Sequence, residues 1–290
     1  MAPELPRQLR GHSCGARELP YACSEAWGRH LTLRGRDADT PEMSVLISAV
    51  ALLLSIVNVQ AAFNLPPLPY ANTSIEPVID AQTQTFHHSV HFATYVRNLN
   101  TALTNYSSLA QLSLTNLVSQ VGSGSLPPAI ETTVRNSGGG AWNHAMWFST
   151  LAPPNSTNTS TALISAPLQA AMVSSFGSVA AGLKLMGDRA NARFGSGWSF
   201  LVVKPDGGLF VVDLANQDNP LMKLPSAQGG IPILGFDVWE HSYYLKYGPR
   251  KAAFVEALPS VINWPQVSKN YADAVASKPG NIVGSMDVPS

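Results

Sequence analysis

Downstream of residue 62 the chain has five histidines, and none stands apart from other polar or aromatic residues. His87, His88 and His91 share one stretch, His144 sits in Trp142-Asn-His-Ala-Met-Trp-Phe148, and His241 follows Asp237 by four residues. His87, His91 and Tyr95 recur at every fourth position, which places them along one face of a helix. Imidazoles joined by one carboxylate, with no thiol, suit a first-row ion such as manganese, iron, zinc or copper. The structural reading stands beside this one, because a histidine on an apolar helix is usually a satisfied core residue. Local rules do not bring His87, His144 and Asp237 together, so spacing alone leaves both readings open.

These residues need elements to hold them. Apolar periodicity predicts helices over 74–104, 107–121 and 141–150, with a Gly/Ser/Pro-rich break at 122–128. The stretch 151–155 reads as an inter-domain linker. Helical spacing resumes over 161–194. Alternating apolar segments at 198–203 and 209–214 flank the turn Pro205-Asp-Gly-Gly208, and a third short strand fits 231–236. A last helical region covers 241–267. The expected fold is α+β. A helical hairpin domain (62–150) precedes an α/β domain with a small, three-stranded antiparallel sheet (151–275), and 276–290 form a tail.

The 18 basic and 18 acidic residues cancel, which argues against a nucleic-acid-binding surface. With 45% hydrophobic and 12% charged residues the chain is globular in composition. Its two cysteines, Cys14 and Cys23, exclude a disulfide scaffold, a Cys-based zinc site and an iron–sulfur cluster. Both lie in residues 1–42, which carry no apolar periodicity and read as a non-structural extension. From Met43 an apolar run extends to Val57 and is followed by Val59-Gln-Ala61, the pattern of a secretory signal peptide over 43–61. The run is short for a membrane span, which needs about 20 residues. A membrane anchor is the alternative, as is a mitochondrial transit peptide in 1–42. Glu4, Glu18, Glu25, Asp37, Asp39 and Glu42 count against the latter. The acceptor sequons at Asn72, Asn105, Asn155 and Asn158 fit a secreted glycoprotein that keeps no membrane contact after signal removal.

Three blocks resemble the iron/manganese superoxide dismutase family. They are His87-His-Ser-Val-His91-Phe-Ala-Thr-Tyr95-Val-Arg-Asn-Leu-Asn100, Asn143-His-Ala-Met-Trp-Phe-Ser-Thr-Leu-Ala-Pro153 and Leu234-Gly-Phe-Asp237-Val-Trp-Glu-His241-Ser-Tyr-Tyr244-Leu. Smaller matches are Leu65-Pro-Pro-Leu-Pro-Tyr70, Phe194-Gly-Ser-Gly-Trp198, Asn216-Gln-Asp218 and Val261-Ile-Asn-Trp264, in family order across 64–270. The resemblance implies one manganese ion per subunit, with iron as the alternative, held by His87, His144, Asp237 and His241 and a solvent molecule. It implies superoxide as the substrate, His91 and Tyr95 as gate and proton relay, and a homodimer or homotetramer. Glu240 and Tyr244 would meet the neighbouring subunit.

Other residues carry plainer readings. Trp142, Trp147, Trp198 and Trp239 read as packing around the site, His88 as structural, Asn143 as a local hydrogen-bonding residue, and Arg250 and Lys251 as solvated charge. The chain departs from the family pattern at Val90, Phe92, the Trp147-Phe148 pair and the 122–128 insertion. Gly140 together with Gln217 resembles the manganese branch, in which the C-terminal domain supplies the amide near the metal. Trp142 is more common in the iron branch. The competing class is a non-enzymatic protein of this fold, such as a mitochondrial ribosomal component. It predicts broken ligands and a basic surface.

Overall fold

The computed structural model describes residues 63–289; the expected extension and signal peptide lie outside them. The first helix starts later than its apolar pattern suggests. Pro77 lacks an N–H and disfavours helix at Glu76, so 71–79 form turns. Asp80 then caps helix α1 (Ala81–Phe86), its carboxylate accepting the Thr83 N–H at 2.8 Å. A π-helical segment (His87–Phe92) carries the chain into α2 (Ala93–Leu103). Such wider turns concentrate at functional sites, and this one bears His87 and His91.

The helix expected over 107–121 is shorter, α3 (Leu114–Ser119), because Ser113 caps it afresh by accepting the Asn116 N–H. The helix expected to begin at 141 instead starts at Pro128, a residue suited to a first turn. It runs through α4 (Pro128–Thr133) and a π-helical segment (Val134–Gly138) into α5 (Gly139–Ser149). From Gly139 to Phe148 every residue of α5 is buried, so this helix is the central post of the molecule. Beyond it Leu151 and Ala152 are themselves buried and pair with Ile262 and Val261. The 161–194 region divides into α6 (Ala166–Phe176) and α7 (Val179–Ala192), split by Gly177 at φ 86° and the Ser178 cap.

The sheet matches its expectation. Strands β1 (Gly197–Val203), β2 (Leu209–Ala215) and β3 (Ile231–Asp237) are antiparallel in the order β2-β1-β3. Central β1 is buried throughout and packs with α5, α7 and the C-terminal helices in one continuous core. In the β1–β2 hairpin Gly207 takes φ 82°, which a side chain would resist, and Asp206 accepts the Gly208 N–H. The last helical region is fragmented by Gly248-Pro249, Pro259 and Pro265 into α8 (Tyr244–Tyr247), α9 (Lys251–Ala257) and α10 (Trp264–Val275). After α11 (Gly280–Val283) the chain buries Ile282, Val283 and Met286, and Asp287 accepts the Thr115 N–H at 2.7 Å. No single helix among the described residues is long and apolar enough to cross a membrane.

Candidate metal centre

Four predicted side chains converge from separate elements. His87 comes from the π segment after α1, His144 from α5, Asp237 from the end of β3, and His241 from a 3-10 turn (Glu240–Ser242). One ligand atom from each lies within 4.8 Å of all the others. His87, His144 and Asp237 are fully buried.

The hydrogen bonds around the cluster aim its lone pairs inward. Asp237 Oδ1 accepts the Trp239 N–H at 2.9 Å, which leaves Oδ2 facing the imidazoles. It lies 3.0 Å from His87 Nε2, 3.3 Å from His241 Nε2 and 3.8 Å from His144 Nε2. The Gly140 carbonyl accepts from His144 Nδ1 at 2.6 Å, so the proton sits there and Nε2 is free. His87 Nε2 and His144 Nε2 are buried with no aligned hydrogen-bond partner, although His87 Nε2 is close to the carboxylate. Buried nitrogens without partners, facing one carboxylate, fit a first-row cation.

Burial pushes His87 down to about 4 and His144 well below its ordinary value, so both are neutral at pH 7, the form that ligates. Burial alone would raise Asp237. Hydrogen bonding and charge from His241 and His87 outweigh it and hold the carboxyl well below the usual range. The site therefore presents three imidazoles and one anion.

Aromatic rings wall the cluster. Phe92 stacks on His144 (centroids 5.7 Å apart), Trp198 meets His144 edge-on at 5.3 Å, and Trp239 stacks on His241 at 5.4 Å. The four tryptophans pack as expected, and Trp142 also donates to Thr115 Oγ1 at 3.0 Å. His88 turns away and bonds the Pro66 carbonyl at 2.8 Å, which makes it structural.

Gln217 is buried beside this cluster, and its orientation is fixed. Its Oε1 accepts from Trp198 Nε1 at 3.0 Å and Asn143 Nδ2 at 3.1 Å, and its Nε2 donates to the Tyr95 hydroxyl at 3.0 Å. The Trp198 indole can only donate, so the amide cannot be flipped. Burial raises the Tyr95 phenol to about 12, and the bond from Gln217 partly opposes that rise. His91 is half-buried and stacks on His241 at 4.3 Å; burial, then the nearby His241, lowers its pKa.

Two glycines permit this arrangement. A Cβ at Gly140 would lie 2.6 Å from the Tyr95 ring, and one at Gly139 would collide with the Gln217 carbonyl. Position 140 therefore has no room for a glutamine. Glu240 and Tyr244, expected at a subunit contact, stand at the surface next to His241. Glu240 is exposed within the single chain rather than buried, because it opens the 3-10 turn beyond the buried end of β3.

Sequence reasoning missed the support of the Gln217 loop. Arg135 grips Asp218 through two bonds of 2.6 and 2.7 Å, and Asn219 Nδ2 donates to Asn143 Oδ1 at 2.7 Å. No local sequence signal gives the charge pair away, because its partners are 83 residues apart.

Comparison with known proteins agrees with this geometry. Residues 62–152 match the alpha-hairpin domain of iron/manganese superoxide dismutases, and residues 164–270 match their C-terminal domain. The chain is 40% identical over 235 residues to a protein of Acinetobacter baylyi named superoxide dismutase [Mn], covering 80% of this chain and 98% of that one. It is 44% identical over 211 residues to superoxide dismutase [Mn] 1 of Leptolyngbya boryana, covering 72% and 81%. It is 40% identical over 215 residues to superoxide dismutase [Mn/Fe] of a Methylomonas species, covering 74% and 100%.

Proposed function

We infer that this chain, which belongs to the iron/manganese superoxide dismutase family, is a superoxide dismutase working at the His87–His144–Asp237–His241 centre with manganese as its resident ion. The observation that carries the reading is the convergence of three imidazoles and one carboxylate on one point inside a wall of aromatic rings. Held by these four residues, the ion would supply one-electron redox chemistry, by which one superoxide is oxidised to dioxygen and a second, taking two protons, is reduced to hydrogen peroxide.

The protein's own residues orient, exclude and deliver. Phe92, Phe148, Trp147 and Trp198 keep bulk water from the buried ligands. Tyr95 is half-buried between the centre and the surface and is bonded to Gln217, which suits it to hand protons inward. The Gln217 amide is pinned by Trp198 and Asn143, so Tyr95 is held in one place without reorganisation. His91, stacked on His241 and half-exposed, lines the approach. The amide near the centre comes from Gln217 and not from position 140, as in the manganese branch of the family.

The intact ligand set and the balanced charge oppose a purely structural role. Elemental analysis and superoxide consumption, measured on protein purified from its own source, test the reading. Metal-free, inactive protein would end it, and fully active protein loaded with iron would overturn the choice of ion.

The active form is a homodimer or a homotetramer, and the product is secreted. Support for assembly comes from the exposed apolar side chains Phe86, Val90, Tyr244 and Leu245; α1, which bears Phe86, packs against both the Glu240–Ser242 turn and α8. Support for secretion comes from the 43–61 segment and from Asn105, Asn155 and Asn158, which are all exposed. Sequencing of the native N-terminus, with a glycan analysis, decides the second point: a start well before Ala61, or glycan-free protein in the mitochondrial matrix, contradicts it.

A further inference from the structure

Several side chains in the metal centre or near it in the chain hold buried polar atoms without a hydrogen-bond partner. Among the described residues they include His87 Nδ1 and Nε2, both amide atoms of Gln84, the Tyr70 hydroxyl, Trp147 Nε1 and His144 Nε2. The two Nε2 atoms belong to the metal centre. The others have no role in it.

His87 Nε2 faces Asp237 at 3.0 Å, so Nδ1 points to the opposite side of the ring. Ligation through Nε2 puts the proton on Nδ1, creating a buried N–H that needs an acceptor. Gln84 lies three residues earlier on the same helix, where side chains are neighbours. It is fully buried, and its amide offers both an acceptor and donors. The Tyr70 hydroxyl is beside it: burial pushes that phenol up, and Gln84 tempers the rise, although the two are not aligned for a direct bond. The Trp147 ring packs 6.2 Å from the His87 ring and brings one more unpartnered donor.

An uncompensated buried amide or hydroxyl costs about 1–3 kcal/mol, and native proteins answer such clusters with ordered water. We propose that Gln84 and Tyr70 form a built water site behind the metal centre, and that a water held there accepts the His87 Nδ1–H, making Gln84 a positioning residue for this ligand. The inference rests on the reading of His87 as a metal ligand. The water receives from His87 and is fixed by the Gln84 amide, which in turn sets the imidazole plane and its basicity.

The test uses the manganese-loaded enzyme and the substitution Gln84→Met, which keeps length and volume while removing both polar atoms. A crystal structure of the wild type should show a solvent atom within hydrogen-bonding distance of both His87 Nδ1 and the Gln84 amide. In Q84M that solvent should be lost or displaced, manganese should dissociate into chelator about tenfold faster, and the manganese(II) EPR spectrum should change. Tyr70→Phe removes a single hydroxyl, carries the same readouts should Q84M not fold, and is expected to speed metal loss less. An apolar surface against His87 Nδ1, or variants with unchanged metal loss and EPR spectrum, would overturn the inference. Wild-type protein that binds no manganese would instead defeat the proposed function, so the two failures are distinguishable.

Discussion

Replacing Gln217 with alanine tests the link between the buried amide network and turnover. Among the described residues Gln217 Oε1 is the one acceptor of the Trp198 indole N–H, and its Nε2 is bonded to the Tyr95 hydroxyl. Asn143 keeps a second partner, the Gln217 carbonyl, at 3.2 Å. The substitution therefore orphans one fully buried donor, at about 1–3 kcal/mol, and removes side-chain packing worth roughly another 1 kcal/mol. The total, about 2–4 kcal/mol, should lower the melting temperature by roughly 5–15 °C for a chain of this size while leaving it folded. Tyr95 loses the contact that opposes its raised pKa, and with it the fixed position needed to deliver protons. Turnover should fall on the order of 10²-fold. Loss of the amide dipole near the centre should also raise the ion's reduction potential. Calorimetry, stopped-flow superoxide decay and redox titration read these three effects. A melting temperature within 2 °C of wild type, with turnover within about twofold, would show that the network neither supports the fold nor serves the reaction.

Three further outcomes are expected. Glu240→Ala should weaken both dimerisation and manganese retention, seen by sedimentation and elemental analysis; a full complement of metal in an unchanged dimer contradicts the subunit-contact role. In metal-free protein, His87 has a folded pKa of about 4, below its ordinary 6.5, so the unfolded chain takes the proton first. Stability should be complete above about pH 6.5 and fall as pH drops toward 4, by roughly 3 kcal/mol from His87 alone; a flat urea midpoint over that window would contradict it. Gly140→Ala should place a methyl group against the rigid Tyr95 ring, costing about 1–3 kcal/mol and disturbing the Tyr95–Gln217 bond; unchanged stability and an unchanged pH–rate profile would mean that the close approach is not required.

The sheet was legible from local pattern because β1 and β2 flank a turn whose residues demand it, Asp206-Gly207-Gly208. Helix limits were less so. Apolar periodicity runs straight through 161–194, whereas Gly177 and the Ser178 cap divide the helix there, and Asp80 rather than Ser74 starts the first one. The π winding at His87–Phe92 and Val134–Gly138 leaves no simple mark in composition. The ligands were found through family blocks and not through spacing, because His144, Asp237 and His87 meet only after α5, β3 and the first helix pack together. The Arg135–Asp218 clamp and the Gln84 amide stayed hidden for the same reason: each acts through a tertiary contact.

The distribution of buried polarity separates an enzyme from a scaffold on physical grounds. A core that served only to hold shape would gain from apolar residues at positions 87, 144 and 237, since a buried carboxylate and buried imidazoles lose hydration that apolar groups never had. Here those groups are fully buried, and the Nε2 atoms of His87 and His144 face the Asp237 carboxylate without an aligned hydrogen-bond partner. On the side of the cluster toward the sheet the supporting polar groups are fixed: Asp237 Oδ1 by the Trp239 N–H, His144 Nδ1 by the Gly140 carbonyl, Gln217 by Trp198 and Asn143. Satisfied supports surrounding unsatisfied centres are what a preorganised ligand set requires. An ion bound there supplies the charge that the facing nitrogens and Asp237 Oδ2 lack, and so stabilises the folded chain over the unfolded one. Metal binding and folding are therefore coupled through the same four residues, and the destabilisation built into the metal-free core is the structural trace of function.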